Sequence, residues 1–182
     1  MIDAGTGLHA TVFLKTRRTD HVARKFFTTW VAHYGVPDKV ICDQGGEFMK
    51  HFIDMMESLV IDCKVTGAHA GWQLALIERH GAILEQLWNS ILIEHSGPGG
   101  NTMRFYELAL AASTNAKNST LQRYGYTPEQ SVFGRALKWP TRLTDCEELK
   151  PAALDADPEA EYTRAVLMRN TARMALLSRV LR

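Results

Sequence analysis

The sequence predicts an α/β fold, a mixed β-sheet flanked by helices, and three observations carry that expectation. Short apolar runs bounded by glycine and proline alternate with longer stretches of helical periodicity. One of those runs, Val40–Cys42, stops at Asp43-Gln44-Gly45-Gly46, the kind of strand end beside which ligands bind in open α/β sheets. The chain has 182 residues, 46% hydrophobic and 23% charged, enough for one domain with a real core and short for two.

In chain order, Ile2-Asp3 begins a first strand, and Ala4-Gly5-Thr6-Gly7 turns it back into the strand-prone run Leu8–Leu14, giving a hairpin. Thr19 or Asp20 caps a helix whose buried face is Val22, Phe26, Trp30 and Tyr34, with Gly35 and Pro37 ending it. The strand before Asp43 follows. Phe48, Phe52, Met55, Met56 and Leu59 trace the next helix, with Glu47 as a candidate cap or metal ligand, and Val60–Val65 reads as a further strand. After the small-residue segment 67–73, Leu76, Ile83, Leu84, Leu87, Trp88, Ile91 and Leu92 fit a long helix that carries Glu78 in its first turns. Gly97-Pro98-Gly99-Gly100 breaks it, and no Lys-Ser/Thr follows to make those glycines a phosphate loop. Asn101 or Thr102 caps a helix buried through Phe105, Leu108, Ala112 and Ala116. Residues 127–140 read as extended and 145–159 as an acidic linker. The chain closes with a helix from about Ala160, striped with Ala165, Met168, Ala172 and Leu176 beside Arg164, Arg169, Arg173, Arg179 and Arg182. Those arginines form either a solvated face or a phosphate-tracking one.

Composition narrows the function classes. The net charge of +1 gives no global signature of a polyanion partner, so any nucleic-acid contact must rest on local features. Three cysteines without C-x-x-C spacing fit reduced thiols and neither a disulfide framework nor a zinc knuckle. No apolar run is long enough to cross a membrane, and no targeting signal is visible at the start.

Three acidic residues fall at special places: Asp3 on the first strand, Asp43 at a strand end, and Glu78 opening a helix after a loop. Parallel neighbouring strands could set the aspartates side by side with Glu78 across them. Clustered carboxylates repel unless a cation lies between, and hard divalent ions with oxygen ligands suit that role. Taken singly, Asp3 is equally a solvated strand-end carboxylate, Asp43 a turn former, and Glu78 one half of a surface pair with Arg79. His69 and His80 lack partners at metal-ligand spacing.

In these blocks the chain resembles the catalytic core of retroviral and retrotransposon integrases, the D,D-35-E family. Ile2-Asp3-Ala4-Gly5-Thr6-Gly7-Leu8 is similar to the family's first strand and its aspartate. Ile41-Cys42-Asp43-Gln44-Gly45-Gly46-Glu47-Phe48 resembles the block around the second aspartate, and Trp72-Gln73 with Ile77-Glu78-Arg79-His80-Gly81 resembles the one around the glutamate. Asp43 and Glu78 are 35 positions apart, with 34 residues between them, one short of the commonest spacing. Tyr126-Thr127-Pro128 through Phe133-Gly134-Arg135 resembles a stretch that follows the core in retrotransposon polyproteins.

The resemblance implies an RNase H-like mixed sheet flanked by helices, with a C-terminal helical extension. The core would cover residues 1–140, its first strand cut short at the start, and the acidic linker and basic amphipathic helix would cover 141–182. It implies a metal-dependent polynucleotidyl transferase that trims 3′ ends of element DNA and joins them to target DNA. Asp3, Asp43 and Glu78 would be both catalytic residues and ligands of two Mg²⁺ or Mn²⁺ ions. Trp72, Gln73, Arg79 and His80 would contact nucleic acid. Double-stranded DNA and a second copy of the chain are the implied partners, with no membrane, in an intracellular and, when acting on DNA, nuclear setting. The alternatives are a truncated, inactive element remnant that only folds or binds nucleic acid, and an RNase H-like nuclease. Three positions depart from the family pattern: Ala82 and Glu85 stand where a basic residue often grips DNA, and Ala75 where glycine is usual.

Overall fold

The computed structural model describes residues 1–67, 74–96, 102–120, 125–135 and 158–180. The expected contacts of Trp72 and Gln73, the glycine break at 97–100 and residues 145–157 of the acidic linker lie outside these residues, while 158 and 159, the linker's last two, are helical. The described chain is a helix-rich assembly with a two-stranded parallel sheet, compatible with the α/β class. It divides into two compact units, one of Ala10–His80 and one of Met1–His9 with Gly81–Arg182.

The Ala10–His80 unit holds α1 (Thr19–Phe26), β1 (Lys39–Cys42), α2 (His51–Ser58) and β2 (Asp62–Val65). The strands pair in parallel, Lys39 opposite Asp62 and Cys42 opposite Val65. Phe52 is almost fully buried, with Phe26 and Phe48 edge-on to it at 5.8 and 5.2 Å between centroids. α1 starts at Thr19 without a side-chain cap, so neither Thr19 nor Asp20 plays the expected role. Its buried stripe is also shorter than the four-residue spacing implies. Val22, Ala23 and Phe26 are buried, but the helix widens to a π-turn over Phe27–Val31. A wider turn advances fewer degrees per residue, so Trp30 and Tyr34 rotate off the buried face and instead pack on each other at 5.1 Å.

Val60 is not in a strand. It follows the α2 C-cap, Leu59, where Val60 N–H bonds to Glu57 O at 3.0 Å and Ile61 N–H to Met56 O at 2.9 Å. That pair of bonds is a Schellman ending, sealed by buried Ile61 and Met56. It places Val60 at φ 56°, where a glycine usually sits.

The second unit is helical: most of α3 (Ala75–His95), α4 (Met103–Thr120), α5 (Pro128–Phe133) and α6 (Pro158–Val180). Its core interleaves Ile83, Leu87 and Ile91 of α3, Phe105, Ala109, Ala112 and Ala116 of α4, and Met168, Ala172 and Leu176 of α6. The alanines of α4 leave room for α6 to lie close. Thr102 caps α4, its Oγ1 accepting from Phe105 N–H at 3.2 Å. Two of the α6 arginines have roles other than the two expected. Arg164 lies over the Phe105 ring at 4.8 Å and donates to His95 O at 3.1 Å, and Arg169 donates twice to Asn115 Oδ1.

Two further expectations are corrected. The run Leu8–Leu14 forms no strand; its recorded pairing is one antiparallel bridge, Ile2 with His9. Strand propensity is a context-dependent preference, and here it does not by itself make a strand of the run. Residues 128–133, expected to be extended, are α5. Thr127 Oγ1 accepts from Gln130 N–H, the Gln130 side chain accepts from Thr127 N–H, and Pro128 supplies a preset φ at the first turn.

Candidate carboxylate site

Asp43 follows directly on β1, and its backbone is anchored from β2. Buried Thr66 donates both its N–H (2.8 Å) and its Oγ1 (3.1 Å) to the Cys42 carbonyl. Two bonds on one carbonyl fix the peptide that carries Asp43. The side chain then folds over its own loop, Oδ1 accepting from Gly45 N–H at 3.0 Å. Gly46–Phe48 makes a single 3₁₀ turn that brings Glu47 back over the same glycine. A Cβ on Gly45 would lie 2.8 Å from Glu47 Oε2 and 2.9 Å from Asp43 Oδ1, so the two carboxylates flank one point that only a glycine leaves open. Behind them, burial first and the adjacent Cys63 second push the Cys42 thiol up to about 12, which keeps it neutral.

Asp3 lies in the other unit, in a loop closed by Asp3 N–H to Leu8 O (2.8 Å) and Gly7 N–H to Asp3 O (2.9 Å). Its Oδ2 accepts from both Thr6 N–H and Thr6 Oγ1. The loop is held against α4. Asn118 copies a strand edge, its Oδ1 accepting from His9 N–H at 2.9 Å and its Nδ2 donating to His9 O at 2.8 Å. Fully buried Lys117 donates to Gly7 O at 3.3 Å, and burial pulls its ammonium down to about 8. Thr66, Asn118 and Lys117 are residues that reading the sequence missed. Lys117 left one signal, a charged residue four positions after Ser113 and next to Ala116 on a buried helix face.

Glu78 stands exposed in the first turn of α3, where the positive end of the helix dipole favours a carboxylate. Arg79 beside it is exposed and His80 half-buried. The structure thus brings Asp43 together with Glu47. Among the described residues, neither unit contains a group of three or more His, Cys, Asp or Glu side chains able to hold a metal ion. The donors present are hard carboxylate oxygens, the type that suits Mg²⁺ or Mn²⁺ better than softer metals. No helix among the described residues is long and apolar enough to cross a membrane.

No family model matches the chain, and no curated protein matches it. Among solved structures it is similar to a chain of the simian T-cell lymphotropic virus intasome, solved by electron cryomicroscopy in complex with the PP2A regulatory subunit B56 gamma. The TM-score is 0.60 at 19% identity, over 76% of this chain and 48% of that one. The chain thus spans about half the length of the protein it matches, and what the likeness shows is an integrase-like fold.

Proposed function

We propose that this chain is the catalytic core of a retrotransposon-type integrase: RNase H-like, and a metal-dependent polynucleotidyl transferase acting on double-stranded DNA. The observation that carries the reading is the Asp43 loop, a carboxylate fixed by Thr66 at the end of a parallel strand, on a chain whose fold is integrase-like. In this reading Asp3, Asp43 and Glu78 hold two divalent ions. Glu47 lies next to Asp43 as a further oxygen donor. When bound, such ions polarise the phosphoryl oxygens and favour in-line displacement at phosphorus. The chain's own part is to hold the carboxylates: the Thr66 bonds fix the Asp43 backbone, the Asn118 pair fixes the Asp3 loop, and the first turn of α3 carries Glu78. Trp72, Gln73, Arg79 and His80 would contact the DNA, with a second copy of the chain completing an oligomer, and the setting would be nuclear.

The test is cleavage of end-labelled element-end duplex with Mn²⁺. Wild-type protein should nick near the 3′ end, and Asp43→Asn should abolish nicking while leaving the melting temperature nearly unchanged. Absence of metal-dependent cutting on both duplex DNA and RNA–DNA hybrid sinks the reading. Cutting of hybrid alone would point to a nuclease of the same fold. One observation favours the remnant alternative, a chain that binds nucleic acid without cutting it: Asp3 Oδ2 already accepts two bonds from Thr6, which a metal ion at that oxygen would have to displace.

A further inference from the structure

A cavity of about 470 Å³ opens beside the Asp43 loop, lined among others by Arg18, Thr19, Asp20, Gly46, Lys50 and His51. All of these belong to the Ala10–His80 unit. Three of the six can carry positive charge, in a chain whose net charge is only +1. Their partners are unequal. Arg18 is held by Asp20 through Nε at 3.1 Å and Nη2 at 3.4 Å, a pairing that leaves the rest of its fork of donors open. His51 Nδ1 lies 3.8 Å from Asp54 Oδ2. Lys50 makes no ion pair among the described residues. It is the α2 N-cap residue and holds φ 44°, a left-handed conformation that a lysine rarely adopts and that recurs at functional sites. Gly46 adds no wall, because a Cβ there would meet nothing within 4 Å. Neither Arg18 nor Lys50, the N-cap residues of α1 and α2, spends its side chain on capping its helix.

We propose that this cavity is a binding site for a backbone phosphate of a nucleic-acid strand, with Lys50 as its main charge and Arg18 as its second. The assignment deepens the reading above and rests on it for the identity of the polymer. Arg18, Lys50 and His51 are all exposed, so the site is an open rim rather than an enclosed cage. Such a rim is poor at holding a small ion against water but suits a phosphate delivered by a polymer gripped elsewhere. Gly46 is three residues from Asp43, so a strand seated here runs past the carboxylate loop. Asp20 opposes the phosphate, and that opposition gives the assignment a test in both directions.

The experiment is equilibrium binding of the full chain to a labelled short DNA duplex in EDTA, across a salt series. Lys50→Ala should weaken binding several-fold and reduce the slope of log affinity against log salt by about one. Arg18→Ala should act in the same sense, and Lys50→Arg should preserve both affinity and slope. Asp20→Asn should tighten binding. Unchanged affinity and slope in Lys50→Ala, or no binding by the wild type, overturns the assignment. Displacement of the duplex by inorganic phosphate at a matched phosphate concentration would make the cavity a small-anion site and overturn it as well. The two readings fail separately: binding that depends on Lys50 without metal-dependent cutting removes the transferase, and cutting that is indifferent to Lys50 removes the phosphate site.

Discussion

The two units differ in how their backbone ends are finished. In the helical unit Thr102 caps α4 and Thr127 caps α5 with a full capping box, and ten buried residues of α3, α4 and α6 form one continuous core. In the Ala10–His80 unit neither α1 nor α2 has a side-chain cap, and Lys50 and Val60, the two described non-glycine residues at positive φ, flank α2. That unit rests on a small cluster around Phe26, Phe48 and Phe52 and on a two-stranded sheet. The less optimised unit is also the one that carries Asp43, Glu47 and the basic cavity. Strain and uncapped amides are tolerated where a ligand can compensate for them, and the uniform core supplies stability elsewhere.

The largest expected effect breaks the better-packed side. Leu176 is 1% exposed in the seam of α3, α4 and α6, and Leu176→Ala should cost about 3–4 kcal/mol in urea melts. A cost below about 1 kcal/mol would show that this core is loose, and the contrast between the units would disappear.

Next in size are two of the buried titratable groups, Lys117 in one unit and Cys42 in the other, which should bend stability in opposite directions with pH. Lys117 sits at about 8 in the fold against an ordinary 10.5. Between those values the unfolded chain holds a proton that the folded chain has released, so this term stabilises as pH rises. Below pH 8 both states hold it, and the folded state carries the whole cost of burying charge. Lys117→Met should therefore stabilise by about 2 kcal/mol at pH 7, net of the lost bond to Gly7, and flatten the alkaline rise. Cys42 runs the other way. Its thiol stays protonated to about 12 against an ordinary 9.0, so the unfolded chain ionises first and stability falls across that window. Cys42→Ala should remove the fall. Urea melts at pH 7, 8.5 and 10 on the two variants separate the contributions; slopes of the same sign would refute the assignment of either group.

These differences also mark what the sequence could say. Asp43 was legible because its cause is local: an apolar run, an aspartate and two glycines in series are enough to stop a strand and turn the chain. The stripe Met168, Ala172, Leu176 was legible for the same reason, by period alone. The pinning of the Asp3 loop by Asn118 and Lys117 was not, since it joins residues about 110 positions apart, and no pattern within a helix announces which polar residue will copy a strand edge. The convergence of Glu47 on Gly45 depends on a single 3₁₀ turn that propensity does not specify. The α5 helix, by contrast, was written plainly in Thr127-Pro128-Glu129-Gln130, a capping sequence with proline at the first helical position, which the extended reading of 127–140 passes over.

Smaller effects sharpen the comparison at the backbone ends. Val60→Gly should stabilise by about 1 kcal/mol, because the Schellman ending needs the left-handed residue that a β-branched side chain resists. Val60 is 89% exposed, so little packing is lost. Thr127→Ala should cost about 1 kcal/mol through the lost capping box. Equal and opposite shifts in melting temperature would support the view that the two units differ in finish and not only in size. A destabilised Val60→Gly would contradict it.

The smallest expected change in stability should have the largest consequence for chemistry. A methyl group on Gly45 would press on Glu47 Oε2 and Asp43 Oδ1, but these are the far ends of side chains that can turn aside, and Gly45 already has φ −57°, which alanine adopts without strain. Gly45→Ala should therefore shift stability by less than about 0.5 kcal/mol. The two carboxylates, however, can no longer flank the same point, and if they bind a cation together, Mn²⁺ affinity by calorimetry should fall at least tenfold. Unchanged affinity would mean that the pair is a feature of the turn alone, with the metal-binding role resting on Asp43 without Glu47.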